Sequence, residues 1–88
     1  MENENRVTIV NLIIQDKQAV AQVNELLSGF GEYIIGRMGI PYRRRKVNII
    51  SIALDAPQDT ISSLAGKIGG LQGVSVKTAY SGIISTEE

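Results

Sequence analysis

Four side chains carry most of the chemistry this sequence offers: Arg37, Tyr42, Arg43 and Lys77. Guanidinium and ammonium groups bind anions, and arginine grips phosphates and carboxylates through two parallel hydrogen bonds. Arg43 opens the run Arg43-Arg44-Arg45-Lys46, a local positive patch able to attract an anion or a phosphate backbone. The same run also fits a solvated hairpin tip whose charges keep a sheet edge from pairing. Arg37 alternates with Tyr33 and Ile35 in an extended stretch. On a bare sheet face it would anchor a ligand or a subunit contact; a plain edge-strand charge explains it equally. Asp55 and Asp59 both suit the start of a helix, and no third acid or histidine completes a metal or acid–base site with them. The glycines around Lys67 fall late in a helical stretch, whereas a phosphate loop precedes its helix. They read instead as a close packing point at Gly66 and a C-cap at Gly69 or Gly70, with Lys67 placed well for the helix dipole.

The missing residue types exclude more than the present ones suggest. The 88 residues include no cysteine, histidine or tryptophan. Disulfides, Cys/His zinc sites, thiolate iron–sulfur clusters and histidine-ligated haem are therefore ruled out. So are Ser-His-Asp and Cys-His nucleophile systems. With no acid–base or nucleophile set, an enzyme is not expected, and no cofactor or metal is called for. Nine basic and nine acidic residues give a formal charge of zero. Glu2, Glu4, Glu87 and Glu88 sit in the tails, so the body is mildly basic, which falls short of a dedicated DNA binder. The N-terminus has no positive n-region or apolar h-region, and no apolar run nears the roughly 18–20 residues of a membrane span. A cytoplasmic protein without a membrane partner is the expectation.

The elements that must position these groups are legible in the pattern. The length sets one domain over residues 1–88, with an ordered core from about 7 to 80 and only a thin interior. Val7–Ile14 is β-branched and apolar on both faces, as a central strand is. Asp16 can cap a helix whose stripe is Ala19, Val20, Val23, Leu26, Leu27 and Phe30, ended by Gly29 and Gly31. Glu32–Ile40 reads as a second strand with bends at Gly36 and Gly39, followed by a connection over Pro41–Arg45. Lys46–Leu54 is the third strand. Asp55 and Gln58 have capping-box spacing, and Ile61, Leu64, Ala65, Ile68 and Leu71 form a second helical stripe. Val74–Tyr80 is the fourth strand, and Ser81–Glu88 reads as a tail in which Ile83 and Ile84 could dock.

The order is therefore β-α-β-β-α-β. The two halves echo each other, since Val7-Thr8-Ile9-Val10-Asn11-Leu12 matches Val47-Asn48-Ile49-Ile50-Ser51-Ile52 at an offset of 40. This is the ferredoxin-like α+β fold: a four-stranded antiparallel sheet in order 4-1-3-2 with two helices on one face. The other face keeps apolar side chains without cover in the chain. Such a face predicts self-association as a homodimer or tetramer. A ligand, if bound, would sit where subunits meet, with Arg37, Tyr42, Arg43 and Lys77 as its polar contacts. The alternative is nucleic-acid binding through the basic 43–46 hairpin of an oligomer. Base-stacking aromatics are missing from strands one and three, so RNA recognition of the usual sheet type is not expected.

Three stretches carry a resemblance. They are Val23-Asn24-Glu25-Leu26-Leu27, Arg37-Met38-Gly39-Ile40-Pro41, and Asp59-Thr60-Ile61 through Leu64-Ala65-Gly66-Lys67-Ile68-Gly69 to Gly73-Val74-Ser75-Val76-Lys77-Thr78. In that order and spacing they resemble the iron-only hydrogenase system regulator family over about Val7 to Tyr80. The resemblance implies an ACT-like fold, similar to the C-terminal domain of the nickel-responsive repressor, and a role in transcription regulation of a hydrogenase system. A small-molecule effector or a protein partner is the expectation for such a regulatory module. The turn Ile14-Gln15-Asp16-Lys17 occupies the place where ACT-type domains hold small ligands, but it lacks the glycine that lets a backbone approach a ligand closely, and the N-cap role of Asp16 accounts for it. No ribbon-helix-helix or helix-turn-helix segment is left over, and no His or Cys could hold nickel, so nickel sensing is not carried over and direct DNA reading is not expected.

Overall fold

A computed structural model describes residues 4–85. Strand β1 (Asn5–Ile14) leads into helix α1 (Lys17–Ser28). A single 3-10 turn over Gly31–Tyr33 precedes β2 (Ile34–Tyr42), and another over Arg43–Arg45 joins it to β3 (Val47–Ala56). Helix α2 (Gln58–Gly69) and strand β4 (Val74–Ser85) complete the order. The strands form one antiparallel sheet in the order β2-β3-β1-β4, so the most apolar strands are central, as the ferredoxin-like reading requires.

Period-two alternation divides the sheet into two unlike faces. Val10, Leu12 and Ile14 of β1 and Ile50, Ile52, Leu54 and Ala56 of β3 point to the helices and are buried. Against them pack Ala19, Val23 and Leu27 of α1 and Ile61, Leu64 and Ile68 of α2. The internal repeat is visible in the pairing. Residues related by the offset of 40 meet at one cross-strand pair, Asn11 opposite Ser51, and there Ser51 Oγ donates to Asn11 Oδ1 at 2.9 Å.

Local capping follows the sequence at one helix and departs from it at the other. The Asp16 carboxylate accepts from the Gln18 backbone N–H at 3.0 Å and caps α1. The capping box does not form at α2. Strand β3 runs on through Asp55 to Ala56, and Pro57 becomes the N-cap with no side-chain hydrogen bond. Gln58 instead bonds the Ser62 hydroxyl and the Tyr80 hydroxyl, each at 3.1 Å. Gly66 is not a packing point, because a Cβ there would meet nothing within 4 Å.

Strand two starts later than the alternation suggests, since Tyr33 N–H bonds the Phe30 carbonyl and closes a turn first. It bends at Ile35, between the pairs Ile34–Leu54 and Gly36–Ala53, and runs regularly past Gly39. Strand four does not stop at Tyr80. It continues through an irregularity opposite Arg6–Thr8 and pairs Ile84 with Arg6. Ser81 holds the irregularity by donating to the Val7 carbonyl at 2.6 Å, while Arg6 donates to the Ser81 carbonyl at 3.0 Å. Ile83 is exposed rather than docked. The tail acids Glu2, Glu87 and Glu88 and the side chain of Ile84 lie outside the described residues.

Candidate functional site

The face of the sheet away from the helices is apolar and open. Its rows are set by register: Ile9 beside Ala53 and Ala79, Asn11 beside Ser51 and Lys77, and Ile13 beside Ile49 and Ser75. Strand β2 adds Met38, Ile40 and Tyr42 opposite Ser51, Ile49 and Val47. Ile9, Ile13, Met38, Ile40 and Tyr42 are each 42–58% exposed. A single exposed isoleucine needs no explanation, but five large apolar side chains on one flat face do. The polar centre is self-satisfied by the Asn11–Ser51 hydrogen bond. Lys77 flanks this centre on β4, exposed, as a residue of an interface rim would be.

A cleft of about 580 Å³ opens at one end of the sheet. Register explains its place. Ile14, the last residue of β1, pairs with Asn48, and Tyr42, the last of β2, pairs with Val47. The turn from β1 to α1 and the turn from β2 to β3 are therefore neighbours. Gln15 and Lys17 come from the first, and Pro41, Tyr42, Arg43 and Lys46 from the second, with Val47 and Asn48 between. Arg44 and Arg45 are not among the lining residues. Lys46 has φ 58° and ψ 42°, the left-handed region, and donates its N–H to the Arg43 carbonyl at 3.1 Å.

Behind this cleft, Gly73 presses on the β1–α1 turn. Its φ is +79°, and a Cβ there would fall 2.6 Å from the Asp16 Cβ. The Gln15 N–H donates to the Gly73 carbonyl at 2.7 Å. A glycine with close backbone approach is thus present at this turn, supplied by the α2–β4 connection rather than by the turn itself.

Of the four expected contact residues, the structure brings together only Tyr42 and Arg43. Lys77 lies on the open face, away from the cleft. Arg37 is a correction. The bend at Ile35 shifts the alternation, so Arg37 pairs with Ile52 on the helix side and its guanidinium donates to Asn24 Oδ1 of α1 at 2.8 Å. Gln15 and Lys17 lie in the β1–α1 turn, which sequence reasoning weighs as a ligand position and sets aside for want of a glycine, and Asn48 is not singled out. The predicted sheet order, which places the two turns side by side, held the signal for them. Among the described residues no group of three or more acidic, His or Cys side chains could hold a metal ion. No helix of the described residues is long and apolar enough to cross a membrane.

Two helices on one face of a β2-β3-β1-β4 antiparallel sheet define an ACT-like member of the ferredoxin-like class. A family model, TM1266-like, described as iron-only hydrogenase system regulator, matches residues 6–78. The chain belongs to that family. It is similar to protein TM1266 from Thermotoga maritima, with 40% identity and a TM-score of 0.83 over 86% of this chain and 96% of that one. Two more distant structures share the fold alone. The ACT domain of GTP pyrophosphokinase from Chlorobium tepidum has 17% identity and a TM-score of 0.73, covering 85% of this chain and 99% of that one. The C-terminal domain of the MgtC protein from Mycobacterium tuberculosis has 13% identity and a TM-score of 0.71, covering 92% of each. No curated protein matches the chain.

Proposed function

We propose that this chain is a non-enzymatic regulatory module of a hydrogenase system, active in the cytoplasm as a homo-oligomer and acting on transcription by sensing a small molecule or docking on a protein partner. The open apolar sheet face is the observation that carries the self-association. Its occupant is a second copy of the chain, as a homodimer or as pairs within a tetramer. The ten residues of β1 at about 3.3 Å each, across four strands about 4.8 Å apart, give a face of roughly 600 Å². Two such faces remove roughly 1,200 Å², above the ~1,000 Å² that separates a specific interface from a casual contact. The formal charge of zero adds no net repulsion between copies. A domain this small also gains from a second apolar surface to bury.

Nucleic-acid binding through Arg43–Lys46 has less support. Two of those four residues line a concave cleft, and β1 and β3 carry no aromatic residue on which a base could stack.

The test is Ile13→Lys. Ile13 is 46% exposed in the isolated chain, so docking has about half of its burial still to gain, about 1 kcal/mol per copy. A two-fold interface counts it twice, and the dimer constant weakens at least ~30-fold, more if the ammonium is trapped. Monomer folding changes little, because the side chain already faces solvent there. Sedimentation equilibrium reads the first effect and urea unfolding the second. An unchanged association constant sinks the reading.

A further inference from the structure

We infer that the cleft at the end of the sheet binds a small organic phosphate, an anion of nucleoside-monophosphate type with a planar apolar body. The inference stands on the cleft alone and does not need the chain to self-associate. Three cations from separate positions, Lys17, Arg43 and Lys46, line one concavity, and no carboxylate lines it with them. Cations that share one concavity raise the local concentration of anions, and an anion of about −2, which a phosphate monoester carries and a single carboxylate does not, gains most from them. Arg43 supplies the fork that fits phosphate oxygens, and the lysines act as point charges.

The rest of the lining sets the body of the ligand. Pro41, Tyr42 and Val47 give an apolar wall with one aromatic ring, and the Gln15 and Asn48 amides give adaptable polar contacts beside it. A cleft of about 580 Å³ lies within the range that small-molecule sites occupy. The helix terminus is not what makes the site. Asp16 already occupies the Gln18 N–H, and the Ala19 N–H bonds the Asp16 carbonyl.

Lys46 gives an independent indication. It is the one non-glycine residue with positive φ among those described, where glycine or asparagine would sit at less cost. A long cation kept in a conformation that disfavours it, at the rim of a cleft lined by two further cations, is strain placed at a site. A nucleic-acid groove differs in shape: it needs an extended positive track, and Arg44 and Arg45 are not part of this lining.

Isothermal titration of the full chain with AMP, adenosine and inorganic phosphate tests this, together with duplex DNA at low salt. The expected result is saturable sub-millimolar binding of AMP, weaker binding of inorganic phosphate, and none of adenosine. Arg43→Ala and Lys46→Gly each weaken AMP at least tenfold, and Lys46→Gly does so without loss of fold because it relaxes the backbone. Arg37→Ala, whose side chain is held on α1, leaves AMP binding unchanged. Four results overturn the inference. They are no saturable binding of AMP at millimolar concentration, adenosine binding as tightly as AMP, inorganic phosphate binding as tightly as AMP, or duplex DNA binding through Arg43 and Lys46 where AMP does not. None of these touches the association constant by which the proposed self-association is judged.

Discussion

Gly73→Ala is the substitution whose cost can be worked most fully from the structure. The added methyl meets the Asp16 Cβ at 2.6 Å, and the Asp16 N and Cα at 3.2 and 3.5 Å. Two of those atoms are backbone, so no rotamer change relieves the overlap. Forcing a side chain into a tight contact costs about 1–3 kcal/mol. The φ of +79° adds about 1–2 kcal/mol for any residue with a Cβ. Moving Asp16 away also strains its cap on Gln18 and the Gln15 to Gly73 hydrogen bond, together worth about 1–2 kcal/mol. Alanine returns only about 0.4–1 kcal/mol through a less flexible unfolded chain. The net loss is about 2–6 kcal/mol, a large share of the ~5–15 kcal/mol that hold a domain folded. At about 4–8 °C per kcal/mol, the melting temperature falls by at least ~8 °C. Thermal unfolding followed by circular dichroism measures it. A drop of less than about 4 °C would show that the α2–β4 connection does not clamp the turn, and the reasoning fails.

The remaining predictions use the same comparison of space and conformation. Gly66→Ala, on an exposed position of α2 with nothing within 4 Å of the new methyl, stabilises the fold by about 0.5–1 kcal/mol. A lower melting temperature for this variant contradicts the open space seen there. Lys46→Gly relieves about 1–2 kcal/mol of left-handed strain and loses about 0.4–1 kcal/mol to the more flexible unfolded chain. Its urea midpoint should therefore rise at unchanged slope, and a fall shows that Lys46 does more for the fold than its backbone suggests.

Much of the fold was legible because burial imposes a period on residue type. Ala19, Val23 and Leu27 fall on one helical stripe, and Val10, Leu12 and Ile14 on one strand face, and those are the residues buried. The repeat at an offset of 40 pointed to the split fold, and in it the equivalent residues Asn11 and Ser51 face each other across β1 and β3. Where expectation and structure part, a local competitor prevails. The bend at Ile35 carries Arg37 to the helix side, and alternation alone cannot announce a bend. Asp55 stays in β3 because strand pairing with Val7 outlasts the capping signal. The cleft was half legible. Tyr42 and Arg43 stand out as residue types, the turn holding Gln15 and Lys17 is discounted for want of a glycine that Gly73 supplies from elsewhere in the chain, and Asn48 acquires meaning only once two turns far apart in sequence lie side by side. Gly73 was hidden for a related reason. It stands in the sequence only as the residue before strand four, and its contact with Asp16 is a tertiary fact.

The central claim is that the open face of the sheet is covered by a second copy of the chain. Sedimentation equilibrium of the unmodified protein across a concentration series tests it most directly. The account predicts a mass of two or four chains, falling toward one chain on dilution and shifted to higher concentration by Ile13→Lys. A single-chain mass throughout, with the variant indistinguishable from the parent, would contradict it.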